Sequence, residues 1–216
     1  LRILIVGGGS SHDFQRWFNL QDVETLRELP GAVVAYTETT DDIATAGPLA
    51  DVIFLSNNKP IRSAESRKVI QNQVKSGKGL LLVHPALWYN WADWPEYNRD
   101  LVGGGSKSHD RYGEFEVTVL GDAKSPITAG LPASFKITDE LYHHFRDEQG
   151  VAPMVLATGK SPHDGRVFPI VWVSQVREGR VACITLGHDG QAHSHPVYKQ
   201  LLKQAATWAA GREPVK

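Results

Sequence analysis

This 216-residue chain predicts an α/β fold with a mostly parallel sheet flanked by helices, on three observations. Short runs such as Ile3-Leu4-Ile5-Val6, Val52-Ile53-Phe54-Leu55 and Leu80-Leu81-Leu82-Val83 are apolar on both faces, as buried parallel strands are. They alternate with helical patterns, the signature of βαβ units. Three of the runs also lead into histidines. The first reaches His12 through Gly7-Gly8-Gly9-Ser10-Ser11, the fourth strand ends on His84, and Val181–Gly187 ends on His188. In open α/β sheets ligands bind beyond the carboxyl ends of the strands. If these strands are parallel neighbours, three imidazoles meet on one rim, and imidazole is the group that moves protons or holds metal near neutral pH.

Residues 1–6 read as the first strand. A helix over 13–29 follows, with Asp13 as its cap and Phe14, Trp17, Phe18 and Val23 facing inward. Strands are predicted at 32–36 and 51–55. A helix over 63–76 has Ser63 as N-cap and Gly77 past its end, and leads to a strand at 79–84. The pattern then changes. Residues 85–105 are rich in aromatics and glycine and read as a functional loop with a short helix at 95–102. Residues 114–120 alternate like a half-exposed strand. Further strands are predicted at 134–138, 154–158 and 168–173, and 178–186 completes a hairpin through a turn at 177–179. The last helix covers 196–210, with Pro196 at its first position and Gly211 after its end. No internal repeat, low-complexity tract or linker interrupts the chain, so 1–216 is expected to be one domain, large enough for a real core.

The formal net charge is −1, with acids and bases interspersed. No basic stripe marks a nucleic-acid partner, and no basic amphipathic segment marks a membrane surface. Cys183 is the single cysteine, which excludes an internal disulfide and a multi-cysteine metal site. The apolar runs are of strand length, too short to span a membrane. The chain starts at Leu1 inside a strand and without Met, so a removed signal peptide or tag fits. Cytoplasm and export both stay open as compartments, and a homo-oligomer is compatible with the sequence.

The glycine run after the first strand lacks the dinucleotide fingerprint. His12 stands where the last glycine belongs, and Glu38 comes too late for the ribose acid. The glycines read instead as a tight turn that allows close approach. At the strand-to-helix turn after Val83, where a nucleophile elbow would carry Ser or Cys, the sequence has His84-Pro85. Acyl-enzyme chemistry is therefore not expected, and Cys183 reads as a small buried hydrophobe. Trp88, Tyr89, Trp91, Trp94 and Tyr97 crowd one short stretch. Aromatic faces suit the apolar faces of sugar rings, although packing is the simpler reading for any one of them. In Asp139-Glu140-Leu141-Tyr142-His143-His144, an extended backbone puts Glu140, Tyr142 and His144 on one face and Asp139, Leu141 and His143 on the other. His163 reads as an exposed loop residue, and His193 and His195 as capping or exposed. His12, His84, His109 and His188 are the candidate metal set, although no local spacing among them forms a metal fingerprint.

Several segments then resemble one family in order and spacing: 77–84 (GKGLLLVH), 94–104 (WPEYNRDLVGG) with His109, 125–131 (SPITAGL), 139–142 (DELY), 169–172 (PIVW), 179–181 (GRV) and 185–189 (TLGHD). With His12-Asp13 and residues 206–211, they make the chain similar to ThuA-like (trehalose utilisation) proteins along nearly its full length. The resemblance implies a class I glutamine amidotransferase-like fold: a flavodoxin-like, doubly wound, mostly parallel sheet with an added antiparallel portion. Amidotransferases carry a cysteine at the elbow, whereas this chain has His84 there. The family link implies carbohydrate catabolism through 3-keto sugars. A ketone at C3 acidifies the neighbouring C–H, so one base and one electrophile suffice for elimination, isomerisation or hydration. The expected catalytic group is His84 or His188 as base, Glu140 as orienter or second acid/base, and His109 or a divalent metal as enolate stabiliser, with His12 beside them. Asp13, Trp88, Trp94, Tyr142, His143 and Asp189 are expected to bind a small-molecule carbohydrate. The alternatives are a non-catalytic sugar-binding or regulatory module, and a metal-dependent hydrolase.

Overall fold

The computed structural model describes residues 1–89, 92–121 and 125–212; Trp91 of the aromatic stretch lies outside the described residues. Five strands form the parallel half of one sheet: β1 (Arg2–Val6), β2 (Val33–Thr37), β3 (Val52–Leu55), β4 (Gly79–Val83) and β11 (Gly179–Ile184), in the order β2-β1-β3-β4-β11. The apolar runs put β3 and β4 entirely in the interior. Beyond β11 the sheet continues antiparallel through β10 (Val167–Val176), β9 (Met154–Lys160), β6 (Gly113–Val119) and β7 (Ser134–Asp139). β11 is thus the seam, parallel to β4 on one side and antiparallel to β10 on the other. Two strands outside the expected set, β5 (Gly104–His109) and β8 (Tyr142–Arg146), pair as a separate antiparallel ribbon.

Each face of the sheet is covered by helices, which gives two cores. On one side lie a π-helical stretch Gln15–Asp22, the short α1 (Val23–Arg27) and the long C-terminal α5 (Pro196–Ala209), burying Phe18, Leu26, Leu201 and Leu202 against Ile3, Ile5 and Phe54. On the other side lie α2 (Ile43–Ala46), α3 (Ala64–Lys75) and a π-helical turn Tyr97–Val102, covering Leu4, Ile53, Leu55, Leu80 and Leu82. The predicted caps form. Ser63 Oγ accepts from Ser66 N–H at 3.2 Å, and Asp13 Oδ1 accepts from Arg16 N–H at 3.0 Å. Pro196 opens α5, where a missing N–H costs nothing. A further short helix, α4 (Gly190–Ser194), follows β11 and starts under the Asp189 side chain.

Candidate active site

The three histidines meet at the carboxyl rim, although their strands are not all neighbours: β3 lies between β1 and β4. His12 bridges that gap from its loop. Gly9 takes φ +142°, and a Cβ there would collide with the Asn58 side chain, so the turn over the end of β3 needs glycine. Asn58 Nδ2 donates to Ser11 Oγ at 2.7 Å and fixes the loop above β3. His84 sits at the elbow after β4 with φ +48°, a left-handed conformation rare outside glycine. Strain of this kind persists where surrounding structure imposes it and tends to mark functional sites. His188 follows Gly187 after β11, and the buried Asp139 carboxylate holds this loop by accepting N–H bonds from Gly187 (2.8 Å) and His188 (3.2 Å). Burial pushes the Asp139 carboxyl up to about 7, against the pull of these amides.

The result is a closed ring of donor atoms. His84 Nε2 lies 3.1 Å from His12 Nε2, His12 Nε2 lies 3.1 Å from His188 Nδ1, His188 Nδ1 lies 3.1 Å from Glu140 Oε2, and Glu140 Oε2 lies 3.7 Å from His84 Nε2. All four atoms fall within 4.8 Å of one another, close enough to hold a metal ion. His109, expected in the metal set, stands outside this ring. Its Nε2 faces the second Glu140 oxygen at 3.6 Å, while Nδ1–H donates to Asp110 O at 2.7 Å. Burial and the neighbouring imidazoles keep His84 neutral, well below the usual histidine range. Burial and His188 lower His12 to about 4. His188 goes the other way: its hydrogen bond to Glu140 raises it, outweighing burial. Burial alone would raise Glu140, but His188 holds it below the usual carboxylate range.

A cavity of about 250 Å³ opens onto this ring, lined by Ser11, His12, Asn58, Pro85, Trp88, His109, Glu140, Tyr142 and His188. His84 is fully buried beneath it, and its ring lies 4.5 Å from Tyr142. The Trp88 and Tyr142 rings form an edge-on pair, 5.2 Å between centroids. Other expected binding residues are placed elsewhere. Trp94 is in the second core, 5.2 Å from the Tyr97 ring and under the Arg67 guanidinium. His143 points away from the cavity. It stacks on Phe168 at 4.4 Å and bonds Asp110 (2.8 Å) and Ser108 (3.0 Å). Asp13 and Asp189 cap helices, and Asp189 also accepts from Tyr112 O–H at 2.8 Å. The alternation on β8 explains the split: Tyr142 faces the cavity, and the next residue cannot.

Two residues escaped the sequence reading, Ser11 and Asn58. The strand-end rule, applied to the histidine-free β3, points to Ser56-Asn57-Asn58 and would have found Asn58. His193 is a correction. It is neither capping nor exposed but fully buried, with Nδ1 donating to Asp22 Oδ1 at 2.7 Å and Nε2 to Gly187 O at 3.0 Å. Burial opposes its charge, but Asp22 outweighs burial and raises its pKa. Tyr198 O–H completes the group by donating to Asp22 Oδ2 at 3.1 Å. His195 does cap, accepting from Val197 N–H at 3.2 Å.

Fold and site together define an α/β protein with a central sheet flanked by helices on both faces, an imidazole–carboxylate cluster on the carboxyl rim of its parallel half and a histidine at the elbow. The chain belongs to the ThuA family, described as trehalose utilisation, whose sequence profile matches residues 2–209. Among solved structures it is similar to a ThuA-like protein from Parabacteroides merdae, at 22% identity and TM-score 0.85, covering 100% of this chain and 92% of that one. A ThuA-like protein from Bacteroides uniformis gives 22% identity and TM-score 0.79, over 97% and 91% of the two chains. A β-galactosidase from Bacillus circulans shares the fold at 10% identity and TM-score 0.61, over 98% of this chain and 31% of that one. No curated protein sequence matches the chain.

Proposed function

We propose that the protein is an enzyme of carbohydrate catabolism that moves a proton next to a sugar ketone, with a 3-keto-glycoside as substrate. The observation that carries this reading is the cavity itself, where proton-transfer groups (His109, His188, Glu140) open beside the aromatic pair Trp88 and Tyr142. Its volume of about 250 Å³ suits one sugar ring, with the rest of a disaccharide outside. His84, buried below the wall, is unsuited to touch substrate. His109 is the better base: its Nδ1–H is committed to Asp110 O, which leaves the Nε2 lone pair turned to the cavity. Glu140 Oε1, 3.6 Å from that Nε2, favours the imidazolium that forms once the proton is taken.

In this reading His109 takes the proton from the carbon beside the ketone. The C–H electron pair becomes the enolate double bond, and negative charge moves to the ketone oxygen. His188, whose protonated form the Glu140 carboxylate favours, supplies the electrophile that stabilises that oxygen. When the ketone re-forms, the electron pair either takes a proton back or expels the glycosidic oxygen, which leaves as the alcohol after protonation.

The test is turnover of 3-keto-trehalose and 3-keto-sucrose by the wild type and by His109→Gln. A loss of about 10²- to 10⁴-fold is expected for a general base. Unchanged turnover removes His109 from the mechanism, and no turnover by the wild type overturns the reading in favour of a sugar-binding module. In that case Trp88→Ala would still abolish sugar binding.

A further inference from the structure

We infer that His12, His84, His188 and Glu140 form a binding site for one divalent first-row transition-metal ion of the zinc type, with its open coordination positions facing the cavity. The first argument is spacing. Donors at right-angle positions of a five- or six-coordinate ion with bonds of about 2.0–2.1 Å stand about 3.0 Å apart, and tetrahedral donors, which would leave no open position beside four protein ligands, about 3.3–3.4 Å apart. The ring edges of 3.1, 3.1, 3.1 and 3.7 Å fall around that range.

The second argument is hydrogen counting. His84 Nδ1 lies 2.6 Å from Thr185 O, a carbonyl that only accepts, so the ring proton sits on Nδ1. Nε2 then carries a bare lone pair, aimed from a fully buried side chain into the ring. His12 Nε2 stands 3.1 Å from two ring nitrogens at once, His84 Nε2 and His188 Nδ1, and a single N–H satisfies only one of them. A cation at the centre satisfies all three.

The third argument is support from outside the ring. Metal-bound histidines usually donate their other N–H to a carbonyl or carboxylate, which fixes tautomer and orientation. His84 does this through Thr185 O, and the Asp139 carboxylate fixes the His188 loop through its amides. The ligand chemistry selects the ion. Three imidazoles and one carboxylate suit zinc, iron, cobalt, nickel or manganese, whereas calcium and magnesium favour all-oxygen sites. The four ligands come from four segments, the loops after β1, β4, β7 and β11, so no local motif could reveal the site. As the electrophile of the proposed reaction, in place of protonated His188, the ion rests on the reading above; as a bound ion it does not.

The experiment uses the full chain without a histidine tag, stripped with chelator and titrated with zinc by calorimetry and with cobalt(II) by absorption. One ion per chain is expected, with cobalt d–d bands of a nitrogen/oxygen site. His12→Gln and His188→Gln should each weaken binding by more than about 100-fold, above the 10- to 100-fold typical of supporting residues. His163→Gln, in an exposed loop, should bind as the wild type does. His109→Gln should bind within about threefold, since His109 lies outside the ring. Thermal melts confirm that each variant is folded. Substoichiometric binding, or stoichiometric binding that survives both ring substitutions, overturns the site. Turnover without metal binding defeats this inference alone, and metal binding without turnover of any keto sugar defeats the proposed reaction alone.

Discussion

Two histidine clusters lie on either side of Gly187 and are wired oppositely. In the buried one, His193 donates both ring hydrogens, to Asp22 and to Gly187 O, and Tyr198 fills the other Asp22 oxygen. Every polar atom named there has a partner, as a structural network requires. In the rim cluster, imidazole nitrogens face one another at 3.1 Å and a carboxylate is set among them, beside a cavity. That is a poor way to satisfy donors and a good way to receive a ligand. Counting histidines does not separate the two clusters; the partners of each ring nitrogen do.

The sharpest way to break this contrast is Asp22→Ala. It leaves the His193 imidazolium buried without its counter-charge and should cost about 3–5 kcal/mol. Urea unfolding measures it, and a loss below about 1 kcal/mol would mean the pair is not structural. His143 offers a milder check, since its Asp110 and Ser108 partners make it structural as well. His143→Phe should therefore lower stability without changing sugar binding in a thermal-shift titration.

His144 is a third kind of histidine. It packs 4.3 Å from Trp172, and neither ring nitrogen has a hydrogen-bond partner among the described residues. Burial lowers its pKa to about 4. Its folded pKa lies below the unfolded value near 6.5, so protonation favours the unfolded chain. The stability that this neutral ring contributes is complete above about pH 6.5 and drains away as pH falls towards 4, by about 3 kcal/mol at most. His144→Phe should flatten that part of the stability–pH curve. An unchanged curve would place the acid sensitivity elsewhere, for instance at the buried His84 or the half-buried His12, whose pKa values burial also lowers. The smallest effect belongs to Tyr198→Phe, which removes one O–H donor from Asp22 and should cost about 1 kcal/mol with the rim untouched.

The parallel half of the fold is readable in the sequence because β1, β3 and β4 carry runs of Ile, Leu, Val and Phe, and β11 the apolar run Val181-Ala182-Cys183-Ile184, each bounded by turns. The rim follows from those runs by the strand-end rule, which locates His12, His84 and His188 together. The ribbon of β5 and β8 is not readable. Gly104-Gly105-Ser106-Lys107-Ser108-His109 lacks both alternation and an apolar run, and Tyr142-His143-His144 is chosen for what each face touches. Yet this ribbon brings His109 and Tyr142 to the cavity. Strand order was also hidden, since nothing local to β1 or β4 says that β3 comes between them. Trp94 and Trp88 read alike in the aromatic stretch, and only packing separates the core residue from the cavity residue.

The most direct measurement pairs function with stability in His188→Gln, at a half-buried rim position. Turnover of the 3-keto-disaccharide should fall by at least about 100-fold, the loss typical for one group stabilising a developing oxyanion, while unfolding free energy stays within about 1 kcal/mol of wild type. A stability loss as large as that of Asp22→Ala, with turnover intact, would contradict the functional reading of the rim.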